Sequence, residues 1–179
     1  NALNEFYYQW GIVPQFVTSG YNLPTLITHM FLHGGWMHLA GNMLFLWIFG
    51  DNLEDLMGPV KFVLFYVAAG LAAAGLQIMA DPSSQIPMVG ASGAIAGVLG
   101  GYLLLFPRAR VDVLIILVII FKVFPVPAWM MLGLWFVIQV FSGVTTPSDS
   151  GGVAYWAHAG GFIAGLVTAA FVWQSGGSL

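Results

Sequence analysis

Five apolar stretches decide what this chain can become. They cover residues 36–49, 60–80, 89–106, 126–142 and 153–173, and the only charged side chain within them is Lys61, at the start of the second. A helical bilayer crossing needs about 20 apolar residues, fewer where the bilayer is thin. Backbone groups in lipid must also find their partners inside the protein. An all-α, polytopic membrane helix bundle with five visible spans is therefore expected, with the first stretch running on through polar residues to Leu56. Composition agrees. Only 6% of the residues are charged and 59% are hydrophobic, against about 25% charged in a soluble domain. So few charges cannot cover a water-facing surface, so the outside must meet lipid. A net charge of −3 from very few groups offers no footprint for nucleic acid. The absence of cysteine excludes a disulfide framework and a thiolate site.

The remaining segments fit around these spans. "VDVLIILVIIF", residues 111–121, is apolar but too short to cross. Its β-branched residues predict an extended, interfacial or half-inserted loop, and Pro125 and Pro127 fix the entry to the next helix. Residues 1–35 contain no span, and Tyr7, Tyr8, Trp10 and Phe16 suit the headgroup level. One domain, 1–179, is expected: an extracytoplasmic, interfacial segment 1–35 and a helix bundle 36–173. "NALNEFYYQW" has no basic region before an apolar core, so no signal peptide is expected. All four cations, Lys61, Arg108, Arg110 and Lys122, fall in or at the edge of the two connections on one side, which the positive-inside rule makes cytoplasmic. Residues 1–35 then start outside, so either the N-terminus is translocated or a span precedes Asn1.

Polar side chains at membrane depth are costly and mark function. Asp51, Glu54, Asp55, Asp81, Asp112 and Asp149 all lie at edges or in connections; His38, Asn42, Ser92 and His158 do not. His38 and Asn42 are four apart and share a helix face. Counted at 1.5 Å per residue, Ser92 and His158 lie within roughly 5–8 Å of the extracytoplasmic end of their spans. Four polar groups from three helices thus converge on one shallow layer. Gly93, Gly97 and Gly101 recur every four residues, as do Ala157, Gly161 and Gly165. Such small-residue stripes let helix backbones approach closely, and if they face each other Ser92 comes within reach of His158. Each feature alone has an ordinary explanation. A membrane serine usually bonds the carbonyl one turn back, glycine stripes usually pack, and His29 and His33 in the preceding loop read as structural. The shared depth raises the joint reading.

A serine hydroxyl attacks well only when a base takes its proton. His158 would be that base and later the acid for the leaving amine. No carboxylate is available at this depth, so the arrangement is a dyad. Asn42, His38 and the Ser92 backbone N–H are the available donors for an oxyanion. Alternatives fit badly: an HExxH zinc motif is absent, no acid pair lies in a span, and mid-membrane charge of the transporter kind is missing.

At these residues the chain resembles the rhomboid family of intramembrane serine proteases. "HLAGN" (38–42), "GASG" (90–93) and "AHAGGFIAG" (157–165) stand in the family's order on separate spans, and the resemblance covers nearly the whole chain, including "GNMLFLWIFGDNLEDLMG" and "GLWFVIQVFSG". The resemblance implies Ser92 as nucleophile, His158 as general base, His38 and Asn42 on the oxyanion side, Gly90 and Gly93 as motif glycines, and Gly161 and Gly165 as packing glycines. It implies single-span membrane proteins as substrates, cut near the extracytoplasmic boundary. It also implies no metal or other cofactor, and a multi-pass setting, for which a bacterial plasma membrane is the expectation. There are three departures. The basic family fold has six spans, so the first is missing here. Ala96 stands where some members stack a tyrosine on the histidine. The segment after Asn1 lacks a Trp-Arg pair, leaving Tyr8 and Trp10 as anchors. The rival reading is a non-catalytic rhomboid-like protein that binds or escorts membrane clients.

Overall fold

The computed structural model describes residues 2–117, 120–147 and 152–175. Three short helices open the chain: α1 (Ala2–Trp10), α2 (Pro14–Thr18) and α3 (Thr25–Thr28), the last running into a 3-10 turn, His29–Phe31. The first apolar stretch forms α4 (Trp36–Phe45), a π-helical turn (Leu46–Gly50) and α5 (Asp51–Met57) in succession. Gly58, at φ +78°, ends that rod. There follow α6 (Pro59–Ala80), α7 (Ser92–Leu105), β1 (Arg110–Leu117), β2 (Ile120–Pro127), α8 (Ala128–Thr145) and α9 (Tyr155–Ser175).

The helix α7 is the axis of the bundle, with Gly93 to Tyr102 buried without interruption. The positions of its glycines fix the directions of its neighbours. A side chain at Gly93 would meet Ala73, one at Gly97 would meet Ala69, and one at Gly101 would meet Phe65, so α6 runs antiparallel to α7. On the other flank, Gly93 faces Gly161, Gly97 faces Gly165 and Gly100 faces Phe162, so α9 runs parallel. Helix α8 is antiparallel to α9, with Phe136 stacked on Phe162 at 4.6 Å and Gly143 against Trp156. These directions place Lys61, Arg108, Arg110 and Lys122 at one end and Ser92 with His158 at the other.

The glycine seam corrects one detail of the sequence pattern. Gly101 lies mainly toward Leu53 and Phe65 and meets α9 only at Ala169, at an ordinary 3.6 Å, while Gly100 makes the close backbone approach, against the Phe162 carbonyl. A strict four-residue repeat drifts off one helix face, because a turn holds 3.6 residues. A Cβ at Gly161 would strike the Gly93 carbonyl, so two backbones are in direct contact there. Gly161→Ala is expected to cost about 1–3 kcal/mol by overpacking, since main chain cannot rotate aside. Gly133→Ala, which meets nothing within 4 Å, is expected to be neutral within about 0.5 kcal/mol. Unfolding of both variants in mixed micelles, monitored by tryptophan fluorescence, checks the contrast. Equal stability of the two would refute the close-contact account.

Among the described residues, two helices, α6 and α8, are long and apolar enough to cross a membrane. Their outward faces expose Val60, Leu64, Leu134, Val137 and Phe141, a load of apolar surface that a water-soluble monomer does not carry. The 22 residues of α6 make a rod of about 33 Å, whereas the 14 of α7 make only about 21 Å. A short axis inside longer neighbours leaves a recess above its N-terminus.

Two sequence expectations need correction. The fold is not purely α-helical: β1 and β2 form an antiparallel hairpin, paired from Arg110↔Pro127 to Leu117↔Ile120. The expected extended loop of 111–121 is its first strand through Leu117 and, from Ile120, the start of its second; residues 118–119 lie outside the described residues. Val111, Val113, Val123 and Val126 favour extended backbone, while Pro125 and Pro127 bar a helix. The third apolar stretch becomes helical only at Ser92, not at residue 89. The chain just before it and its first residues are tied to the N-terminal segment: Ile12 and Met88 exchange two backbone hydrogen bonds, of 2.9 and 2.7 Å, the Gln15 N–H donates to the Ser84 carbonyl at 3.1 Å, and the Gly90 N–H donates to the His29 carbonyl at 2.9 Å. Segment 1–35 is thus more than a surface anchor, because Ile12, Val13, Thr25 and Met30 are buried. Asp149 and part of the connection 143–152 lie outside the described residues.

Candidate active site

Ser92 is the first residue of α7, and His158 lies in the first turn of α9. Parallel helices in backbone contact put equivalent turns side by side, so the Gly93–Gly161 contact brings the two polar side chains together. His158 Nε2 lies 2.8 Å from Ser92 Oγ. The other ring nitrogen, Nδ1, lies 2.7 Å from Gln139 Oε1 on α8. Trp135, one turn earlier on α8, stands beside the imidazole with ring centroids 5.8 Å apart. The Ala157 N–H, an orphan donor of the first turn of α9, donates to Gln77 Oε1 on α6 at 3.1 Å.

The opposite wall comes from α4 and the loop before it. The Gly34 N–H donates to His38 Nδ1 at 3.2 Å. A backbone N–H only donates, so Nδ1 is the bare nitrogen of a neutral ring and Nε2 carries the proton. That Nε2 edge lies over Gly90, where an added Cβ would come within 3.0 Å of it and within 3.5 Å of Ser92 Oγ. Gly90, at φ +135°, also has a backbone that side-chain-bearing residues rarely adopt. Its missing side chain leaves open the space between the histidine and the serine. Asn42 is only 8% exposed, and its Nδ2 has no hydrogen-bond partner among the described residues. Buried amide donors are rarely left unmatched.

A cavity of about 610 Å³ joins these groups, lined by His38, Asn42, Gln77, Gly90, Ser92 and His158 among others. All four polar residues expected at one depth border it. Of the four glycines singled out, Gly90 and Gly93 border the cavity, while Gly161 and Gly165 press on the α7 backbone beneath it. Chemically the arrangement holds a hydroxyl on an imidazole beside two N–H donors. Trp135 and Gln139 are the side chains that motif reasoning passes over. Gln139 is the one amide in the apolar run "LWFVIQVF", and a depth argument extended to amides on α8 would have found it.

His29 stands apart from this chemistry. Its Nδ1–H donates to the Thr25 carbonyl at 2.9 Å, and its own carbonyl accepts from the Gly90 N–H at 2.9 Å. Its role is to tie the loop to the turn before Ser92. Burial pushes its pKa from 6.5 down to about 4. His33, its ring packed edge-on to His38 at 5.2 Å, is also lowered, by burial and then by repulsion from His38. The unfolded chain therefore binds a proton at His29 that the fold refuses. That stability is complete above pH 6.5 and falls as the pH drops toward 4, by about 3 kcal/mol in all. The expected result is an acid-side loss of thermal stability in detergent that is shallower in His29→Gln. Parallel pH curves for the two proteins would refute it.

A family model described as the rhomboid domain matches residues 21–175. Rhomboid protein 1, mitochondrial, of Saccharomyces cerevisiae is 32% identical over 150 residues, covering 80% of this chain and 40% of that protein. Rhomboid protease GluP of Bacillus subtilis is 42% identical over 78 residues, 44% of this chain and 15% of that one. Putative rhomboid protease YdcA of the same organism is 36% identical over 92 residues, 48% of this chain and 46% of that one. The chain therefore spans less than half the length of these relatives. One is mitochondrial and two are bacterial, so they lend no support to a specifically bacterial setting.

Proposed function

This chain belongs to the rhomboid family of integral membrane proteins, and we propose that it is a serine-type intramembrane endopeptidase with a Ser92–His158 dyad. The observation that supports this best is the 2.8 Å approach of Ser92 Oγ to His158 Nε2 in the wall of a cavity that Asn42 and His38 also line. Five helical segments, α4 with α5, then α6, α7, α8 and α9, cross the bilayer, with the cationic end cytoplasmic. The dyad then lies a short way below the extracytoplasmic face, in a recess water can enter.

Ser92 Oγ attacks the scissile carbonyl carbon while its proton passes to His158 Nε2. The new oxyanion accepts hydrogen bonds from Asn42 Nδ2, His38 Nε2–H and the Ser92 backbone N–H, groups that border the same cavity. The imidazolium protonates the leaving amine as the C–N bond breaks. Water, deprotonated by the same imidazole, then splits the acyl-enzyme and restores Ser92. The substrates are single-span membrane proteins. A helical peptide bond is shielded by its neighbours, so the cut falls where the substrate helix unwinds near the outer boundary.

The test is cleavage of a fluorescently labelled single-span substrate in liposomes by the parent chain and by Ser92→Ala. Turnover confined to the parent is expected. Equal product from both would remove Ser92 from the chemistry and favour a protein that escorts membrane clients.

A further inference from the structure

Resting on the protease reading above, we propose that Gln139 is a positioning residue that locks His158 in the tautomer able to act as a base. Nothing in the three sequence motifs assigns it this role, and it lies on α8, which carries none of them.

A neutral imidazole has one nitrogen with a proton and one without. Only the form with bare Nε2 accepts the Ser92 proton; the other form presents an N–H to the hydroxyl and is inert as a base. Nothing within the Ser92–His158 pair chooses between them, because a hydroxyl both donates and accepts. The choice falls to whatever faces Nδ1. That group is Gln139 Oε1, at 2.7 Å, and a carbonyl oxygen only accepts. It therefore keeps the proton on Nδ1 and leaves Nε2 bare toward Ser92 Oγ at 2.8 Å.

The surroundings leave this task to α8. The α7 residue one turn beyond Ser92 is Ala96, whose methyl is too small to hold the ring in place. Trp135 and Gln139 are four apart on α8 and share a face. Trp135 restrains the ring laterally at 5.8 Å between centroids, and Gln139 fixes its rotation and proton. Gln139 is 9% exposed, so water does not replace the bond readily. Carboxylates in serine triads do the same service through charge. An amide does it without placing an anion in a low-dielectric layer, where an unpaired carboxylate is costly.

The experiment compares the parent chain with Gln139→Leu and Gln139→Glu in liposomes. It uses cleavage of the labelled substrate and, separately, nitrogen-15 NMR of the imidazole in micelles, with the His158 signals assigned by their loss in His158→Asn. In the parent, protonated Nδ1 and bare Nε2 are expected, and in Gln139→Leu a mixture of tautomers. Gln139→Leu is expected to lower kcat about 10- to 100-fold, a share of what a general base contributes, with KM unchanged within about twofold. Gln139→Glu retains an acceptor and is expected to recover most of that loss. Its acid limb should move to higher pH, because a carboxylate favours the imidazolium. Parent-like kcat in Gln139→Leu, or bare Nδ1 in the parent, overturns the proposal. So does a loss in Gln139→Leu that appears in KM and thermal stability and is not recovered by glutamate, which is the mark of a packing role. Absence of Ser92-dependent turnover in the parent would defeat the protease reading instead, and the NMR tautomer would still decide the role of Gln139.

Discussion

Ser92→Ala should reduce cleavage of a single-span substrate by about 10⁴- to 10⁶-fold, to the level of the uncatalysed reaction plus what binding and oxyanion donors retain. The size follows from the route. Without Oγ no acyl-enzyme forms, and the donors on Asn42 and His38 can assist only direct attack by water. His158→Ala should fall nearly as far, because a hydroxyl without a base is a weak nucleophile. The double variant should be scarcely worse than either single one, since the two groups act as a unit. Neither substitution touches the backbone approaches of the α7–α9 seam at Gly93, Gly97, Gly100, Gly161 and Gly165, but His158→Ala also removes the ring that bonds Gln139 and stands beside Trp135 on α8. Ser92→Ala should therefore keep the parent's unfolding midpoint, whereas His158→Ala should lower it, because the Gln139 amide loses its partner. Initial rates in liposomes, with fluorescence unfolding alongside, check the set. A Ser92→Ala rate within tenfold of the parent, at unchanged stability, would contradict the dyad chemistry; losses that multiply in the double variant would mean the residues act independently.

What could be read in advance follows a physical line. Segments whose structure is dictated by lipid were visible: the apolar stretches at 60–80 and 153–173 became α6 and α9, with ends shifted by a few residues. So were groups whose presence in an apolar stretch has a cost, since His38, Asn42, Ser92 and His158 all border one cavity. Contacts that depend on where separate elements land were less legible. No local signal says that Ile12 will pair with Met88 and delay the start of α7, or that Gln77 will cap α9 through Ala157. The hairpin lay between the two cases. Its β-branched residues announced extended backbone, but the partner strand Ile120–Pro127 contains two prolines and overlaps an apolar stretch read as helix. The glycine stripes meet as read, with Gly100 added to them. A helix turn of 3.6 residues carries Gly101 to the edge of the seam, where it meets Ala169, and brings Gly100 into the close backbone approach.

Asn42 should behave in opposite ways in stability and catalysis, and that opposition separates a catalytic donor from a structural one. Its Nδ2 is buried without a partner among the described residues. An unmatched buried donor costs about 1–3 kcal/mol, so a fold built for stability alone gains nothing from this amide. Asn42→Ala should accordingly leave the unfolding midpoint unchanged or raise it, as the desolvation cost is relieved and only a small cavity is made. In catalysis the same donor meets charge that exists only in the transition state. Losing one such donor typically lowers kcat about 10²- to 10³-fold, with KM little affected. His38→Ala tests the second donor, and its loss should add to that of Asn42 only in part, because both serve one oxygen. The measurement is kcat and KM in liposomes together with unfolding in mixed micelles. An Asn42→Ala protein with parent kcat would take the amide out of the oxyanion site. A kcat that falls only in step with the unfolded fraction would mark Asn42 as a packing residue, and the stabilisation of the tetrahedral intermediate would then rest on His38 and the first N–H of α7.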